Sequence, residues 1–229
     1  MSGRSIIVTG GFGVLGRAVA AAFAAQGDKV ARVDFAPVAP DSVAGGFDLP
    51  NVDLTDDAAV DKAVAAVVAE QGGVDVLVNV AGGFTWETLE GGSIAGWEKM
   101  FAMNLRSNAT ITRASLPFLQ QSAAGRVVNI GAGAAIQAAA GMGAYAASKA
   151  GVHRLTEALA AELAGSSVTV NALLPSIIDT PANRADMPDA DTSSWVQPQA
   201  IADIILFLAS PTARSISGAL IPVTRGQPE

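Results

Sequence analysis

Apolar residues along this chain fall into two patterns that alternate from end to end. Short runs rich in β-branched residues, at 5–9, 29–34, 47–52, 74–80, 125–131, 167–173 and 219–223, predict strands. Between them, apolar positions recur at helical spacing near 14–26, 56–71, 95–120, 143–164 and 198–209. Runs that are apolar without alternation suit strands covered on both faces, so the exchange of strand and helix predicts repeated βαβ units. Gly27 can close the first helix with a positive φ, and Thr55, Asp56 and Asp57 offer cap chemistry to the second. The least regular stretch is 180–197, with Pro181, Pro188 and several Ser and Asp. It reads either as a lid or as a solvated connection. No change of composition and no low-complexity linker divides the chain, so 1–229 is read as one domain.

Composition narrows this picture. Half of the residues are hydrophobic but only 5% are aromatic, so the interior must be built from Ala, Val, Leu and Ile, which suits helices packed closely on a sheet. A net charge of −7 argues against nucleic acid as a partner, because a phosphate backbone calls for clustered Lys and Arg. With no cysteine and one histidine, His153, the chain lacks disulfides, a thiolate nucleophile and a thiolate or histidine metal site. The start runs from Met1 and Ser2 straight into the first strand pattern, and no apolar run approaches the roughly 18 residues of a membrane span. The expectation is a soluble cytoplasmic protein without a targeting segment and without a membrane partner.

Chemistry enters at Thr9-Gly10-Gly11-Phe12-Gly13-Val14-Leu15-Gly16, which follows the first strand and opens the first helix. That is the context of a dinucleotide-binding loop. Gly10 can make the tight turn, Gly13 lets the backbone approach a pyrophosphate, and Gly16 lets the helix pack on the strand, while Phe12, Val14 and Leu15 complete the loop. A Walker A loop fails, because Gly16-Arg17-Ala18 stands where Gly-Lys-Ser/Thr is needed. Asp34 ends the second strand, where a carboxylate can accept hydrogen bonds from the adenosine ribose and would repel a 2′-phosphate. NADH is therefore expected, with NADP the lesser alternative; taken alone, Asp34 is equally an ordinary turn residue. The expected fold is α/β, a single doubly wound, mostly parallel seven-stranded Rossmann-type sheet with helices on both faces.

Tyr145 and Lys149 are spaced to share one helix face, so an ammonium there can stabilise a phenolate and lower a reference pKa of about 10. Tyr145 is the only tyrosine, and without its neighbours it would read as one amphipathic aromatic on a helix. Together with Asp53-Leu54, Asn79-Val80-Ala81-Gly82, Asn104, Tyr145-Ala146-Ala147-Ser148-Lys149 and Pro175-Ser176-Ile177-Ile178-Asp179-Thr180, the chain resembles the short-chain dehydrogenases/reductases over essentially its whole length. The resemblance implies that Asp53 and Leu54 flank the adenine and that Asn79, Val80, Ala81 and Gly82 line the cofactor. It likewise implies that Pro175, Ile178 and Thr180 hold the nicotinamide end. By the same resemblance Tyr145 is the proton donor, Lys149 also binds the nicotinamide ribose, and Asn104 holds a water of a proton relay. A homodimer or homotetramer pairing through the helices near 95–120 and 143–164 is implied as well.

Two positions depart from the family pattern. The loop reads TGxxGxxG, with Val14 where the usual spacing has its central glycine. The catalytic serine, thirteen residues before the tyrosine, is replaced by Ala132, whose methyl group cannot donate to an oxyanion. That alanine, the Gly-Gly-x-Gly-x-Leu-Gly loop and a carboxy-terminal run resemble the dihydropteridine reductases of the family. The run comprises Leu174-Pro175, Asp179-Thr180-Pro181, Asn183-Arg184, Met187-Pro188, Ala190-Asp191, Ser193-Ser194-Trp195 and Ser217-Gly218. Asn104 follows the ordinary family pattern, and Phe84 stands where those reductases are expected to carry tryptophan.

The leading expectation is an NADH-dependent reductase of a small conjugated acceptor such as quinonoid dihydropterin, which accepts hydride without a polarising hydroxyl. A carbonyl reductase or alcohol dehydrogenase of the same family is the alternative, and a noncatalytic NAD-binding protein is the reading from another class. Phe84, Trp86 and Trp195 are candidate pocket walls or ordinary packing, and His153 is assigned a structural or subunit-interface role.

Overall fold

The computed structural model describes residues 3–226; Met1 and Ser2, on which the reading of an absent targeting segment partly rests, lie outside them with 227–229. The strands are β1 (Ser5–Thr9), β2 (Lys29–Val33), β3 (Gly46–Leu49), β4 (Val76–Asn79), β5 (Arg126–Ile130), β6 (Thr169–Pro175) and β7 (Leu220–Val223). They form one seven-stranded sheet in the order β3-β2-β1-β4-β5-β6-β7. All six pairings are parallel, so the expected mostly parallel sheet is wholly so. The helices are α1 (Val14–Ala25), α2 (Asp57–Gln71), α3 (Ile94–Phe101), α4 (Ser107–Gln121), α5 (Gly143–Glu162), α6 (Pro181–Asp186) and α7 (Pro198–Leu208).

Alternation along each strand divides the core into two layers. Ile6 and Val8 of β1 pack with Leu15, Val19 and Phe23 of α1 and Ile201 and Ile205 of α7 on one face. Ile7 packs with Val60 and Val64 of α2, Ile111 of α4 and Leu159 of α5 on the other. Each such side chain fully withdrawn from water contributes about 1.5–3 kcal/mol, and the double coverage explains why the strand runs look continuously apolar. Asp56 caps α2 by accepting from the N–H groups of Ala58 and Ala59. Gly27, at φ 83°, turns the chain after α1.

Two expectations change. The helix expected over 95–120 is α3 and α4 joined by a π-helical turn at Ala102–Arg106. A widened turn adds about one residue without breaking the apolar stripe, so periodicity does not reveal it, and such turns concentrate at functional sites. The irregular stretch 180–197 contains α6, whose first turn is capped by Thr180 Oγ1 accepting from Asn183 N at 3.2 Å. Its neck is closed by a parallel bridge between Ile178 and Val196. Trp195 is buried at that neck, which makes it packing and not a pocket wall.

Paired positions place Val33, Thr9, Asn79 and Asn129 in one row toward the carboxyl ends of β2, β1, β4 and β5. Chain direction along the sheet reverses between β1 and β4, and the crevice outside that switch point is where such sheets bind ligands. Among the described residues no helix is long and apolar enough to cross a membrane.

Candidate active site

A cleft of about 850 Å³ opens over the carboxyl ends of β1, β2 and β4. Gly10, Phe12, Gly13, Val14, Leu15 and Gly16 form one wall, Asp34, Asp53 and Leu54 another, and Val80, Ala81, Gly82 and Thr180 a third. The loop needs its glycines for backbone reasons. Gly10 has φ +61°, and a Cβ on Gly16 would run into the Gly10 carbonyl. Gly13 is the N-cap of α1, so the free N–H groups of the first turn face the cleft as a site for a pyrophosphate. Thr9 Oγ1 accepts from Val80 N and Ala81 N, both at 3.1 Å, and so fixes the β4 loop against the glycine loop.

Asp34 accepts from Phe12 N through one carboxylate oxygen and from Ala36 N through the other, both at 2.9 Å. A carboxylate offers about four acceptor sites, so each oxygen retains one for a ribose hydroxyl. Asp53 is tied by Thr55, whose N–H and hydroxyl both donate to Oδ1, and these bonds hold its pKa below the ordinary carboxylate value.

Behind the Gly82 end lies a compact polar cluster. Asn104 sits on the π-helical turn; its Oδ1 accepts from Gly83 N at 2.9 Å, and its Nδ2 donates to Gly83 O and to Ser148 Oγ at 3.1 and 3.0 Å. Ser148 Oγ in turn donates to the Tyr145 carbonyl at 2.7 Å. Lys149 is buried, and its Nζ donates to Ile130 O at 2.8 Å. A Cβ on Gly82 would lie 2.6 Å from Asn104 Oδ1 and 3.2 Å from Lys149 Nζ, so only glycine lets these two groups close on the cleft. Phe84 sets its ring edge-on to Tyr145 at 5.0 Å. Trp86 donates from Nε1 to Ala140 O at 3.1 Å, bracing the loop that leads into α5.

The expected effect of Lys149 on Tyr145 is corrected. Burial pushes the Tyr145 phenol up to about 12 and the Lys149 ammonium down to about 8. Burial is the sole cause in each case, and one of the three donors of the ammonium goes to Ile130 O.

The structure brings most sequence-derived cofactor residues to the cleft but not all. Asn79 ends β4 with its side chain turned away from the cleft, donating to Asn108, Thr112 and Asn129 in a buried amide network. Pro175 is buried and Ile178 is engaged in the bridge to Val196, so both stand behind Thr180. Lys149 and Asn104 adjoin the Gly82 end and Tyr145 stands beside Phe84, and none of the three lines the main volume. Sequence reasoning missed Phe35, Ala36, Val52 and Thr55, which simply adjoin motif residues, and Ala182 beyond Thr180. It also missed Lys99, Ala102, Met103 and Ser107. Lys99, Met103 and Ser107 recur every fourth residue beside Asn104, a signal that was available.

The short chain dehydrogenase family profile matches residues 4–191. The chain is 35% identical to the 3-oxoacyl-[acyl-carrier-protein] reductase MabA of Mycobacterium bovis, covering 97% of this chain and 92% of that protein. It is 32% identical to a D-threitol dehydrogenase of Mycolicibacterium smegmatis, covering 99% and 93%. The crystal structure of a 3-ketoacyl-(acyl-carrier-protein) reductase from Brucella melitensis complexed with NADH superposes with a TM-score of 0.87 at 28% identity, covering 97% of each chain. The chain belongs to the short-chain dehydrogenase/reductase family and is an NAD(P)-dependent oxidoreductase.

Proposed function

We propose that the protein is an NADH-dependent reductase of a conjugated, electrophilic acceptor, with quinonoid dihydropterin the first compound to try. The observation that carries this reading is Ala132. It is buried at the end of β5 in the place of the family's serine, and its N–H is turned to His153 Nε2 at 3.4 Å. Ser148 supplies no substitute, because its hydroxyl donates to Tyr145 O. An acceptor whose electrophilicity lies in its own conjugation needs no hydroxyl to polarise it.

The residues present fit a nicotinamide dinucleotide. The α1 N-terminus would take the pyrophosphate, Asp34 the adenosine ribose, Asp53 and Leu54 the adenine, and Val80 to Gly82 with Lys149 and Thr180 the nicotinamide half, with Pro175 and Ile178 supporting Thr180 from behind. When bound in reduced form, the cofactor supplies a hydride. Tyr145, whose phenol stays protonated across the working range, donates the accompanying proton. Lys149 places a positive charge behind the phenolate that remains. Asn104 holds the β4 loop to α5 and thereby sets the depth of the floor. Phe84, exposed and edge-on to Tyr145, and Trp86, exposed against the loop before α5, offer aromatic faces to a planar acceptor. Asp34 favours NADH, since a 2′-phosphate would meet its charge. The proposal extends to a homodimer or homotetramer formed through the α3–α4 region near 95–120 and through α5.

The names of the relatives favour a second reading, a carbonyl reductase or alcohol dehydrogenase. Loss of NADH absorbance measured with quinonoid dihydropterin, simple ketones and a 3-oxoacyl thioester separates the two. Faster turnover of the pterin supports the first reading, and preference for a ketone or thioester supports the second. NADH binding without turnover of any acceptor identifies a noncatalytic binding protein.

A further inference from the structure

Behind Phe12 and Asp34, just outside the residues that line the cleft, lies a charged cluster that the proposed chemistry does not use. Arg32 lies in β2 and is fully buried, at a position where the strand pattern calls for an apolar side chain. Its Nε and Nη2 donate to the two oxygens of Asp48 at 2.7 and 2.8 Å. Its Nη1 donates to Asp41 Oδ1 at 2.6 Å, and Nη2 also donates to the Asp41 carbonyl at 2.7 Å. The other Asp41 oxygen accepts from Arg17 Nε at 2.7 Å. One carboxylate therefore clasps two guanidiniums, one from the sheet and one from the first turns of α1, four residues past Gly13. Phe12 lies over the Arg32 guanidinium, 5.3 Å from ring centroid to carbon, and lines the cleft beside Asp34 and Phe35.

We propose that Asp41 is a second selector of NADH over NADPH, acting by engaging Arg17 and Arg32 and so withholding from the cleft the cations a 2′-phosphate requires. The proposal rests on the reading of the cleft as a dinucleotide site. Asp34 and Asp41 work in different ways: the first repels the phosphate, and the second occupies its natural partners. The two arginines also differ. Arg32 is capped by Phe12 and retained by Asp48, so on loss of Asp41 it contributes only a stronger positive field. Arg17 is half exposed and has Asp41 as its hydrogen-bond partner, so loss of that charge frees a mobile guanidinium beside the phosphate loop. A guanidinium is well suited to grasp a phosphate through paired donors.

The test is binding without substrate. NADH, NADPH, 5′-AMP and 2′,5′-ADP are titrated calorimetrically into wild type, Asp41→Asn and the double variant Asp41→Asn/Arg17→Gln. Asp41→Asn is expected to strengthen NADPH and 2′,5′-ADP by about tenfold, with steeper salt dependence, while NADH and 5′-AMP move by less than about threefold. The double variant should lose that gain. An unchanged NADPH-to-NADH ratio in Asp41→Asn, or a gain that survives Arg17→Gln, overturns the proposal. Should Asp41→Asn fail to fold, Arg17→Gln alone leaves Asp41 less neutralised and is expected to weaken NADPH further; unchanged or tighter NADPH binding then overturns it. Wild type that binds neither dinucleotide defeats the dinucleotide reading itself, whereas wild type that binds NADH with an immovable ratio defeats only the role of Asp41.

Discussion

The imidazole of His153, on α5, fills the space that a side chain at Gly131 would need: a Cβ there would lie 2.5 Å from Nε2. The same nitrogen accepts the Ala132 N–H, so the histidine is neutral and holds the backbone at the end of β5. Burial, followed by the charges of Arg154 and Lys149, keeps its pKa below the ordinary value, in agreement with that role. Gly131→Ser should destabilise the fold by about 1–3 kcal/mol through overpacking. His153→Ala should restore part of that loss when combined with it. A double-mutant cycle from urea denaturation checks this, and additive losses would separate the two residues.

Lys149 is a stability burden in the fold. Its pKa falls from 10.5 to about 8 through burial, a gap worth roughly 3 kcal/mol against the charged form. Lys149→Met should therefore abolish turnover yet stabilise the protein by roughly 2 kcal/mol at neutral pH, after about 1 kcal/mol is lost with the bond to Ile130. The sign with pH follows from linkage. Between about 8 and 10.5 the folded wild type binds fewer protons than the unfolded chain, so its stability gains from rising pH while the variant has no such titration. The advantage of Lys149→Met should be full below pH 8, shrink as pH rises, and give way above 10.5 to a deficit of about 1 kcal/mol from the lost bond to Ile130, as measured by denaturant midpoints across that window.

Tyr145→Phe keeps the ring that meets Phe84 edge-on and removes only the acidic proton. NADH binding should stay within about threefold, while turnover of the best acceptor falls by about 10²–10⁴. In wild type, kcat/KM for reduction should be level below pH 8 and decline above it, because Lys149 then loses the charge that supports the phenolate. Full activity in the variant would remove Tyr145 as the proton donor.

How much of this was legible depended on whether the information was local. The strands could be read because both faces of β1, β4 and β5 are covered, so their residues are apolar without regard to alternation. Gly10, Gly13, Gly16 and Asp34 could be read because a turn, a helix start and the end of the next strand place them within a single βαβ unit. The Gly131–His153 fit could not be read, since it joins the end of β5 to the middle of α5 through tertiary packing. Arg32 presented itself as an interruption of a strand, and its partners Asp41 and Asp48 have no motif. Asn79 was placed in the cleft by its motif, whereas its side chain faces α4. The direction of the Tyr145 shift was missed for a related reason: helical spacing supplies the neighbour but not the burial that outweighs it.

Ala132 is where the chemistry of this chain should part from that of ordinary carbonyl reductases. Loss of one oxyanion donor typically lowers rates by about 10²–10³, so simple ketones should be poor substrates of the wild type. Local rescue is blocked, because the Ser148 hydroxyl is committed to Tyr145 O and Asn104, and the Ala132 N–H is committed to His153. Serine is only slightly larger than alanine, and the β5 end is held by His153 from behind, so Ala132→Ser should fold and present a hydroxyl at the family's position. Ketone reduction should then rise by about tenfold or more in kcat/KM, while reduction of quinonoid dihydropterin, already electrophilic, should change by less than about threefold. Steady-state kinetics on both acceptors with NADH decides the matter. Rapid wild-type turnover of an unactivated ketone, unaffected by Ala132→Ser, would show that another donor serves the oxyanion and would make the carbonyl reductase reading the better one.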